Sequence, residues 1–213
     1  EVEYENRISN LQLHANYSYE DFIIGMRIEK DNTVWEKGWL LKKIEEINKE
    51  NESTGKKLPY IIILDEINRV DLSRLFGELF SAIENRDTDV ELSATKDGKR
   101  ITVNIPSNLY FIGTMNEIDF SLERIDFALR RRFVWYFYGY NEDTLKSIIE
   151  SKSVAFKAGH LEEFIKRATA LNISLEADVD LGKQWQIGHT FFAEIVEIVI
   201  NTQNKRKNIL LYK

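Results

Sequence analysis

Tyr60-Ile61-Ile62-Ile63-Leu64-Asp65-Glu66-Ile67-Asn68-Arg69 is the stretch that decides the fold, because its apolar run ends abruptly in two adjacent carboxylates. Apolar residues that follow one another without alternation predict a strand buried on both faces of a parallel sheet. Ligands of such sheets bind just beyond the carboxyl ends of the strands, which is where Asp65 and Glu66 fall. The stretch therefore predicts an α/β fold with a ligand site at this strand end.

Two carboxylates at a strand end suit the hydrolysis of a terminal phosphate. One acid can hold a hydrated Mg²⁺ ion, and the second can orient and deprotonate the attacking water. Asp65 and Glu66 thus match the Walker B element of nucleoside triphosphatases. The alternative is that the pair only caps the next helix, and the motifs that follow along the chain favour the catalytic interpretation.

The composition indicates a folded protein with one large domain or one domain and a small appendage. Of 213 residues, 43% are hydrophobic and 30% are charged, which is typical of globular proteins. The absence of cysteine excludes disulfides and thiolate metal sites, and three histidines make a zinc site a poor expectation. A net charge of −6 argues against a general nucleic-acid binder.

The apolar runs are too short for a membrane span, and the N-terminus lacks a signal sequence. We therefore expect a cytoplasmic protein with no membrane partner. Because the chain begins at Glu1 without methionine, we also expect it to be part of something longer.

Alternation and helical spacing predict the elements before the decisive strand. Arg7 to His14 resembles a strand, and a short helix should begin within Asn16 to Phe22. Trp39 to Ile47 has apolar residues at helical spacing, and Asn48 to Lys57 is predicted to be a polar loop.

The chain after the decisive strand continues with a helix, a hairpin and two strands. Leu72 to Ile83 predicts one helix with an apolar face that begins near Asp71 or Val70. Alternation around Asp97-Gly98 predicts a hairpin over Val90 to Val103. Leu109 to Thr114 and Phe133 to Tyr138 should be buried strands of the sheet.

The pattern then becomes helical. Leu122 to Leu129 precedes the last strand as a short helix, and beyond Asn141 the periodicity predicts helices without intervening strands. These helices are Thr144 to Glu150, Leu161 to Leu171 and Phe191 to Ile200. We therefore predict an α/β core over 1–139 and a small helical lid over 140–213.

Three strand-end motifs occur in order: Asp65-Glu66, Thr114-Met115-Asn116 and Arg130-Arg131-Arg132. With the segments His14 to Arg27 and Gly182 to Phe192, they resemble the AAA+ ATPases, in the branch of the McrB restriction GTPases. The resemblance covers nearly the whole chain. It implies a P-loop NTPase-like parallel sheet flanked by helices, followed by an all-helical lid.

The resemblance implies roles at matched positions. Asp65 would hold Mg²⁺, Glu66 would be the catalytic base, and Asn116 would be the sensor that hydrogen-bonds the attacking water or the terminal phosphate. An amide suits this role since it donates and accepts without adding charge, although Asn116 could instead be a turn residue that caps the next helix. Asp119 completes the MNxxD pattern of the family at the nucleotide, but Phe120 stands where the family often has arginine.

Arg131 and Arg132 resemble arginine fingers, which stabilise transition-state charge in an adjacent subunit. A basic cap at a helix C-terminus is the alternative for both, and it is the interpretation left for Arg130. Arg69 could face a neighbouring subunit, pair with Glu66 or be solvated. His189 could approach the phosphates from the lid, but a structural role is the favoured interpretation.

A glycine-rich phosphate loop that opens a helix is missing from these 213 residues. Gly55-Lys56-Lys57 lacks an upstream glycine and a following Ser or Thr, and it precedes a strand. In the resembled family this loop follows a central strand upstream of Arg7, so we expect the loop to come from outside these residues. We also expect the isolated chain to bind GTP or ATP weakly.

The sequence thus predicts a McrB-like motor subunit that hydrolyses GTP or ATP with Mg²⁺. We expect a homo-oligomer, by resemblance a hexamer, that drives a partner endonuclease and reaches DNA through a domain outside this chain. The alternatives are a MoxR-like remodelling ATPase and a non-catalytic assembly module with the same fold.

Overall fold

The computed structural model describes residues 6–29, 32–96, 98–116, 130–152, 156, 159–199 and 201–202. The chain divides into two compact units, Glu1–Trp135 and Tyr136–Lys213. The boundary predicted from sequence, between 139 and 140, lies a few residues later. The predicted helix Leu122 to Leu129 and the candidate residue Asp119 lie outside the described residues.

The first unit contains three small sheets and the helices that connect their strands. Its strands are β1 (Ile8–Gln12), β2 (Ile24–Glu29), β3 (Asn32–Lys37), β4 (Tyr60–Asp65), β5 (Val90–Lys96), β6 (Lys99–Val103) and β7 (Leu109–Gly113). Its helices are α1 (Tyr19–Phe22), α2 (Trp39–Thr54), α3 (Leu72–Phe76) and α4 (Leu79–Ala82), and Ile67–Arg69 forms a 3-10 turn.

The strands β1, β4 and β7 form a parallel sheet with β4 in the middle. Gln12 is in register with Asp65, and Leu64 is in register with Gly113. The carboxyl ends of all three strands therefore meet at one edge. The predicted α/β fold with a parallel sheet is confirmed, and β4 brings its two carboxylates to the centre of that edge.

The helix α2 is longer than predicted. Residues 48–54, predicted to be loop, continue the helix to Thr54, and the chain leaves it at Gly55 with a left-handed φ of 64°. The predicted loop was wrong because Glu and Lys are good helix formers even without apolar spacing. The helix ends at Gly55 because glycine tolerates the left-handed conformation that terminates many helices.

The predicted helix over Leu72 to Ile83 is two short helices. The chain breaks at Gly77, where φ is +50° and ψ is −127°, a conformation that an α-helix cannot contain. Asp71 caps α3 by accepting a hydrogen bond from the backbone N–H of Arg74 at 3.0 Å. The predicted apolar face is confirmed, since Leu72, Leu75, Phe76 and Leu79 are buried.

Two antiparallel hairpins accompany the main sheet. The hairpin of β5 and β6 was predicted from Asp97-Gly98, and Gly98 has the positive φ that such a turn requires. The hairpin of β2 and β3 was not predicted. Its strands mix charged, small and apolar residues, so that no clear alternation identifies them.

The core of the first unit lies on one face of the parallel sheet. Phe76 contacts Phe22 and Phe111 edge to face, with ring centroids 5.1 and 5.7 Å apart. On the other face, Tyr110 and Ile112 of β7 remain 53% and 47% exposed. Among the described strands, β7 pairs with β4 alone, so its second edge is open.

The predicted strand Phe133 to Tyr138 is absent from every described sheet. Val134 and Tyr136 are 99% and 85% exposed. The prediction was wrong because an aromatic, apolar run has the composition of a buried strand but needs a neighbour for its backbone hydrogen bonds. No described strand supplies one.

The second unit is helical in its described part. It contains α5 (Glu142–Ser151), α6 (His160–Ala177) and α7 (His189–Ala193), a 3-10 turn at Lys183–Trp185, and further helical residues at 195–199. Its core consists of Leu145, Ile149, Ile165, Ala168, Ala193 and Val196. No helix in the described ranges is long and apolar enough to cross a membrane.

Candidate active site

Asp65 ends β4 with an exposed side chain. The hydroxyl of Thr114, just past β7, donates a hydrogen bond to Asp65 Oδ1. The hydroxyl oxygen of Thr114 also accepts a hydrogen bond from the backbone N–H of Glu66 at 3.4 Å. Thr114 also bonds through its backbone, donating to Leu64 O at 3.0 Å and accepting from Ile67 N at 2.9 Å. The two strand ends are therefore joined at the first acid.

Glu66 has a left-handed backbone, with φ 57° and ψ 48°. This conformation costs a non-glycine residue on the order of 1 kcal/mol. It reverses the chain directly after β4 and starts the 3-10 turn Ile67–Arg69. Such strain often marks a functional position because it persists only where the surroundings enforce it.

The carboxylate of Glu66 has contacts on both oxygens. Arg69 Nη2 donates to Oε1 at 3.2 Å, and Arg69 Nε lies 2.7 Å from Oε2. Gln12 Nε2, at the end of β1, donates to Oε2 at 3.2 Å. Of the interpretations considered for Arg69, the structure shows the pair with Glu66.

Asn116 is held at the same edge. The buried side chain of Asn68, only 6% exposed, donates through Nδ2 to the backbone carbonyl of Asn116 at 3.0 Å. Asn116 itself is exposed. The structure thus places Asp65, Glu66 and Asn116 at the same edge of the sheet.

Close packing fixes the distance between β7 and the turn that carries Glu66. A Cβ atom added at Gly113 would lie 2.8 Å from Cδ1 of Ile67, well inside van der Waals contact. Only glycine therefore allows the turn to sit this close to the strand end without a shift of Ile67.

The three arginines of the basic turn differ in their surroundings. The backbone carbonyl of Arg130 accepts a hydrogen bond from Trp135 Nε1 at 2.7 Å. The Arg132 side chain is 11% exposed, lies 3.2 Å from Glu84 Oε1 and stacks over Phe80 with 4.5 Å between its guanidinium carbon and the ring centroid. Arg131 is exposed.

The donor set fits a hydrated Mg²⁺ ion. Asp65 offers an exposed carboxylate with a hydroxyl beside it, and Mg²⁺ commonly takes one or two carboxylates together with water and substrate phosphates. Within the described ranges, no cluster of three or more His, Cys, Asp or Glu could hold a metal ion. The carboxylate of Asp65 suits a cation whose other ligands are water and phosphate oxygens.

The segment Gly55-Lys56-Lys57 does not have the position of a phosphate-binding loop, because it follows the C-terminus of a helix. Gly55 ends α2 and is followed by the chain entering β4. A helix C-terminus presents carbonyl oxygens and a partial negative charge, which disfavours phosphate. The structure supports rejecting this segment as a phosphate loop.

His189 is part of the framework of the second unit. Its Nε2 accepts a hydrogen bond from the backbone N–H of Asn141 at 2.8 Å, and its ring stacks on Tyr140 with centroids 5.5 Å apart. Nearby, buried Asn172 holds both backbone groups of Ile187, at 2.7 and 3.1 Å. The segment Gly182 to Phe192 is thus anchored by residues of its own unit.

Glu78 connects three parts of the first unit, because it lies at the start of α4 and contacts the helix α1 and the strand β5. It accepts hydrogen bonds from Tyr19 Oη at 2.9 Å and from the backbone N–H of Ser93 at 3.0 Å. Burial alone would raise the pKa of Glu78, but the hydrogen bonds from Ser93 and Tyr19 outweigh it and lower that pKa. Burial and the bond to Glu78 raise the pKa of Tyr19.

Sequence reasoning did not assign roles to Thr114, Asn68 and Gln12. Thr114 and Asn68 flank the motifs and could have been noticed as polar residues adjacent to strand-end acids. Gln12 becomes significant only through its register with Asp65, which a single sequence does not reveal.

Residues 4–133 match the AAA domain family, dynein-related subfamily. The chain is 35% identical over 195 residues to the Type IV methyl-directed restriction enzyme EcoKMcrB subunit of Escherichia coli K12, covering 87% of this chain and 40% of that protein. It is 25% identical over 114 residues to the Type II restriction enzyme BsuMI component YdiS of Bacillus subtilis 168, covering 47% of this chain and 33% of that protein.

A proposed ATPase from Cytophaga hutchinsonii superposes with a TM-score of 0.38 and 13% identity, covering 90% of this chain and 45% of that one. This superposition is too loose to bear on function. The chain spans less than half the length of each relative named here. The family match and the sequence identity together show that this chain belongs to the AAA domain family, dynein-related subfamily, as an AAA+ domain of the McrB type.

Proposed function

We propose that this chain is the hydrolytic part of a GTP- or ATP-dependent motor subunit of a restriction system. The observation that carries the proposal is the meeting of Asp65, Glu66 and Asn116 at one edge of the parallel sheet, tied together by Thr114 and Asn68. The restriction-enzyme relatives support the biological setting.

Each acid has one role in the proposal. Asp65 holds Mg²⁺, which when bound neutralises charge on the phosphates. Glu66 takes a proton from the attacking water. Asn116 orients that water or the terminal phosphate through its side-chain amide, without adding charge to the site. The proposal leaves Asp119 as a further nucleotide contact.

The phosphate-binding loop must then come from outside these 213 residues. The open edge of β7 is where a further parallel strand could pair, and exposed Tyr110 and Ile112 offer apolar surface for it to cover. A loop at the carboxyl end of such a strand would face Asp65 and Glu66, because parallel strands end at the same edge.

In this proposal a neighbouring subunit completes the active site by supplying an arginine. Arg131 is exposed, whereas Arg132 is packed against Phe80 and Glu84. We therefore assign the finger to Arg131, acting in a neighbouring subunit of a homo-oligomer, by analogy a hexamer. Arg132 holds the turn in place. A partner endonuclease would use the motor on DNA.

The test compares residues 1–213 alone with the longer protein of this proposal, which would also contain the phosphate-binding loop. The longer protein should hydrolyse GTP or ATP in the presence of Mg²⁺, and the preferred nucleotide decides between the McrB-like and MoxR-like alternatives. Calorimetry on residues 1–213 should show no tight nucleotide binding. A sub-micromolar affinity for this chain alone would contradict the assignment of the phosphate loop to another segment.

The non-catalytic assembly module is the second candidate. The absence of a phosphate-loop motif from these residues favours it. The strained backbone of Glu66 and its neighbouring sensor favour an active site. Oligomerisation without any nucleotide hydrolysis by the longer protein would establish the assembly module instead.

A further inference from the structure

Asn68 is a buried polar residue whose side chain is only half used. It is 6% exposed, and its Nδ2 donates to the backbone carbonyl of Asn116 at 3.0 Å. Its Oδ1 is buried and has no hydrogen-bond partner among the residues that the structure describes. The amide cannot be rotated to improve this, because Oδ1 would then face the carbonyl oxygen of Asn116.

An unpartnered buried oxygen is costly, so packing alone does not account for an asparagine here. A buried polar atom without a partner loses its hydration and gains nothing in return. Leucine has nearly the same shape and would remove that cost, and the exposed Asn116 could then turn its carbonyl to water. The single hydrogen bond to Asn116 is what an asparagine supplies and leucine does not.

That bond joins the turn of the base to the residue that senses the phosphate. Asn68 is in the 3-10 turn Ile67–Arg69, which directly follows Glu66. The backbone bond from Ile67 N reaches only Thr114 O, two residues before Asn116. Among the described hydrogen bonds of the turn, the one from Asn68 reaches the chain beyond Thr114.

We propose that Asn68 is a positioning residue that fixes Asn116 relative to Glu66. This inference rests on the function proposed above, since it assigns a role within the same site. In that function Glu66 acts on the attacking water, and Asn116 acts on the same water or on the phosphate that it attacks. Small displacements of such groups cost large factors in rate. Because Asn68 lies in the turn that follows Glu66 and bonds to Asn116, it fixes the distance between Glu66 and Asn116.

The test is Asn68→Leu in the longer protein. We expect kcat to fall about tenfold or more while KM for the nucleotide stays unchanged. The midpoint of thermal unfolding should stay the same or rise, because the unpartnered oxygen is gone. A merely structural role would show the opposite pattern, with a lower midpoint and an unchanged kcat for the folded protein.

A double substitution separates positioning from independent effects. If Asn68 acts through Asn116, then Asn68→Leu together with Asn116→Ala should hydrolyse nucleotide at the rate of Asn116→Ala alone. Losses that multiply in the double variant would overturn the proposal. So would a wild-type kcat in Asn68→Leu. If Asn68→Leu does not fold, Asn68→Ala is measured by the same criteria.

Asn108 provides a matched control. It is also 6% exposed and also donates to a backbone carbonyl, that of Leu58 at 2.7 Å, but its Oδ1 accepts from Asn51 at 3.1 Å. It precedes β7, at the end of the strand away from the acids. Asn108→Leu should therefore lower the unfolding midpoint and leave kcat per folded molecule unchanged.

The failure of this inference can be told apart from that of the proposed function. Hydrolysis that persists in Glu66→Gln overturns the function itself. Hydrolysis that requires Glu66 and Asn116 but is unaffected by Asn68→Leu overturns only the role of Asn68.

Discussion

Arg69 contacts both carboxylate oxygens of Glu66, with Nη2 3.2 Å from Oε1 and Nε 2.7 Å from Oε2. Gln12 adds a third contact to the carboxylate, through Oε2. A base must accept a proton from water through one of its oxygens. These contacts occupy three of the roughly four lone-pair sites of the carboxylate, so a water that approaches Glu66 competes with Arg69 and Gln12 for position.

Arg69→Ala should therefore raise basal nucleotide hydrolysis several-fold, because it frees the carboxylate of Glu66. The ion pair is partly exposed, at 40% for Arg69 and 35% for Glu66, so the substitution should change the free energy of unfolding by less than about 1 kcal/mol. Steady-state phosphate release and thermal unfolding measure both. Arg74→Ala, at another exposed arginine nearby, is the control. An unchanged or lower rate in Arg69→Ala would refute the idea that Arg69 restrains the carboxylate of Glu66.

Gly113→Ala should disturb the turn that carries Glu66. The new methyl group would lie 2.8 Å from Ile67 Cδ1, and overpacking of this kind costs about 1–3 kcal/mol. We expect a lower unfolding free energy and slower hydrolysis. Adding Ile67→Val, which removes Cδ1, should restore part of both. An unaltered rate in Gly113→Ala would mean that the spacing between strand and turn is not critical.

Arg131→Ala and Arg132→Ala should fail in different ways. Arg131→Ala should abolish most hydrolysis with no effect on stability, since the side chain is exposed. Arg132→Ala should lower the unfolding free energy because it removes the stacking on Phe80 and the pair with Glu84. Mixing Arg131→Ala subunits with Glu66→Gln subunits should recover activity at mixed interfaces. No recovery in that mixture would argue against a finger acting between subunits.

Glu78 should make the first unit less stable in acid. Its pKa is lowered from the ordinary 4.5 in the folded state by the bonds from Ser93 and Tyr19. A group with a lowered folded pKa stabilises the fold fully above its unfolded pKa and loses that contribution as the pH falls through the folded value. Urea unfolding below pH 4.5 should therefore show a smaller pH dependence for Glu78→Gln than for the wild type. Identical slopes would exclude Glu78 as a contributor.

The sequence alone predicted the central strand, its acids and the parallel sheet, because buried strands and strand-end carboxylates are local patterns. It failed where context decides the outcome. Gly77 splits a regular apolar pattern through its backbone alone, and residues 48–54 are helical without an apolar face. Phe133 to Tyr138 has the composition of a strand but no described partner.

The candidate site shows the same division. Asp65, Glu66 and Asn116 could be proposed from the sequence because they follow the ends of predicted strands. The contacts of Arg69, Gln12, Thr114 and Asn68 with them depend on register and on the left-handed turn at Glu66. The proposal of Arg131 rather than Arg132 as the finger also depends on the structure, since packing against Phe80 and Glu84 distinguishes two adjacent identical residues.

Glu66→Gln in the longer protein tests the central claim most directly. The amide keeps the shape of the side chain but cannot take a proton from water. With nucleotide and Mg²⁺, we predict that nucleotide affinity is retained and that hydrolysis falls to the background rate. Hydrolysis at the wild-type rate would contradict the assignment of Glu66 as the base and, with it, the proposed function of this strand end.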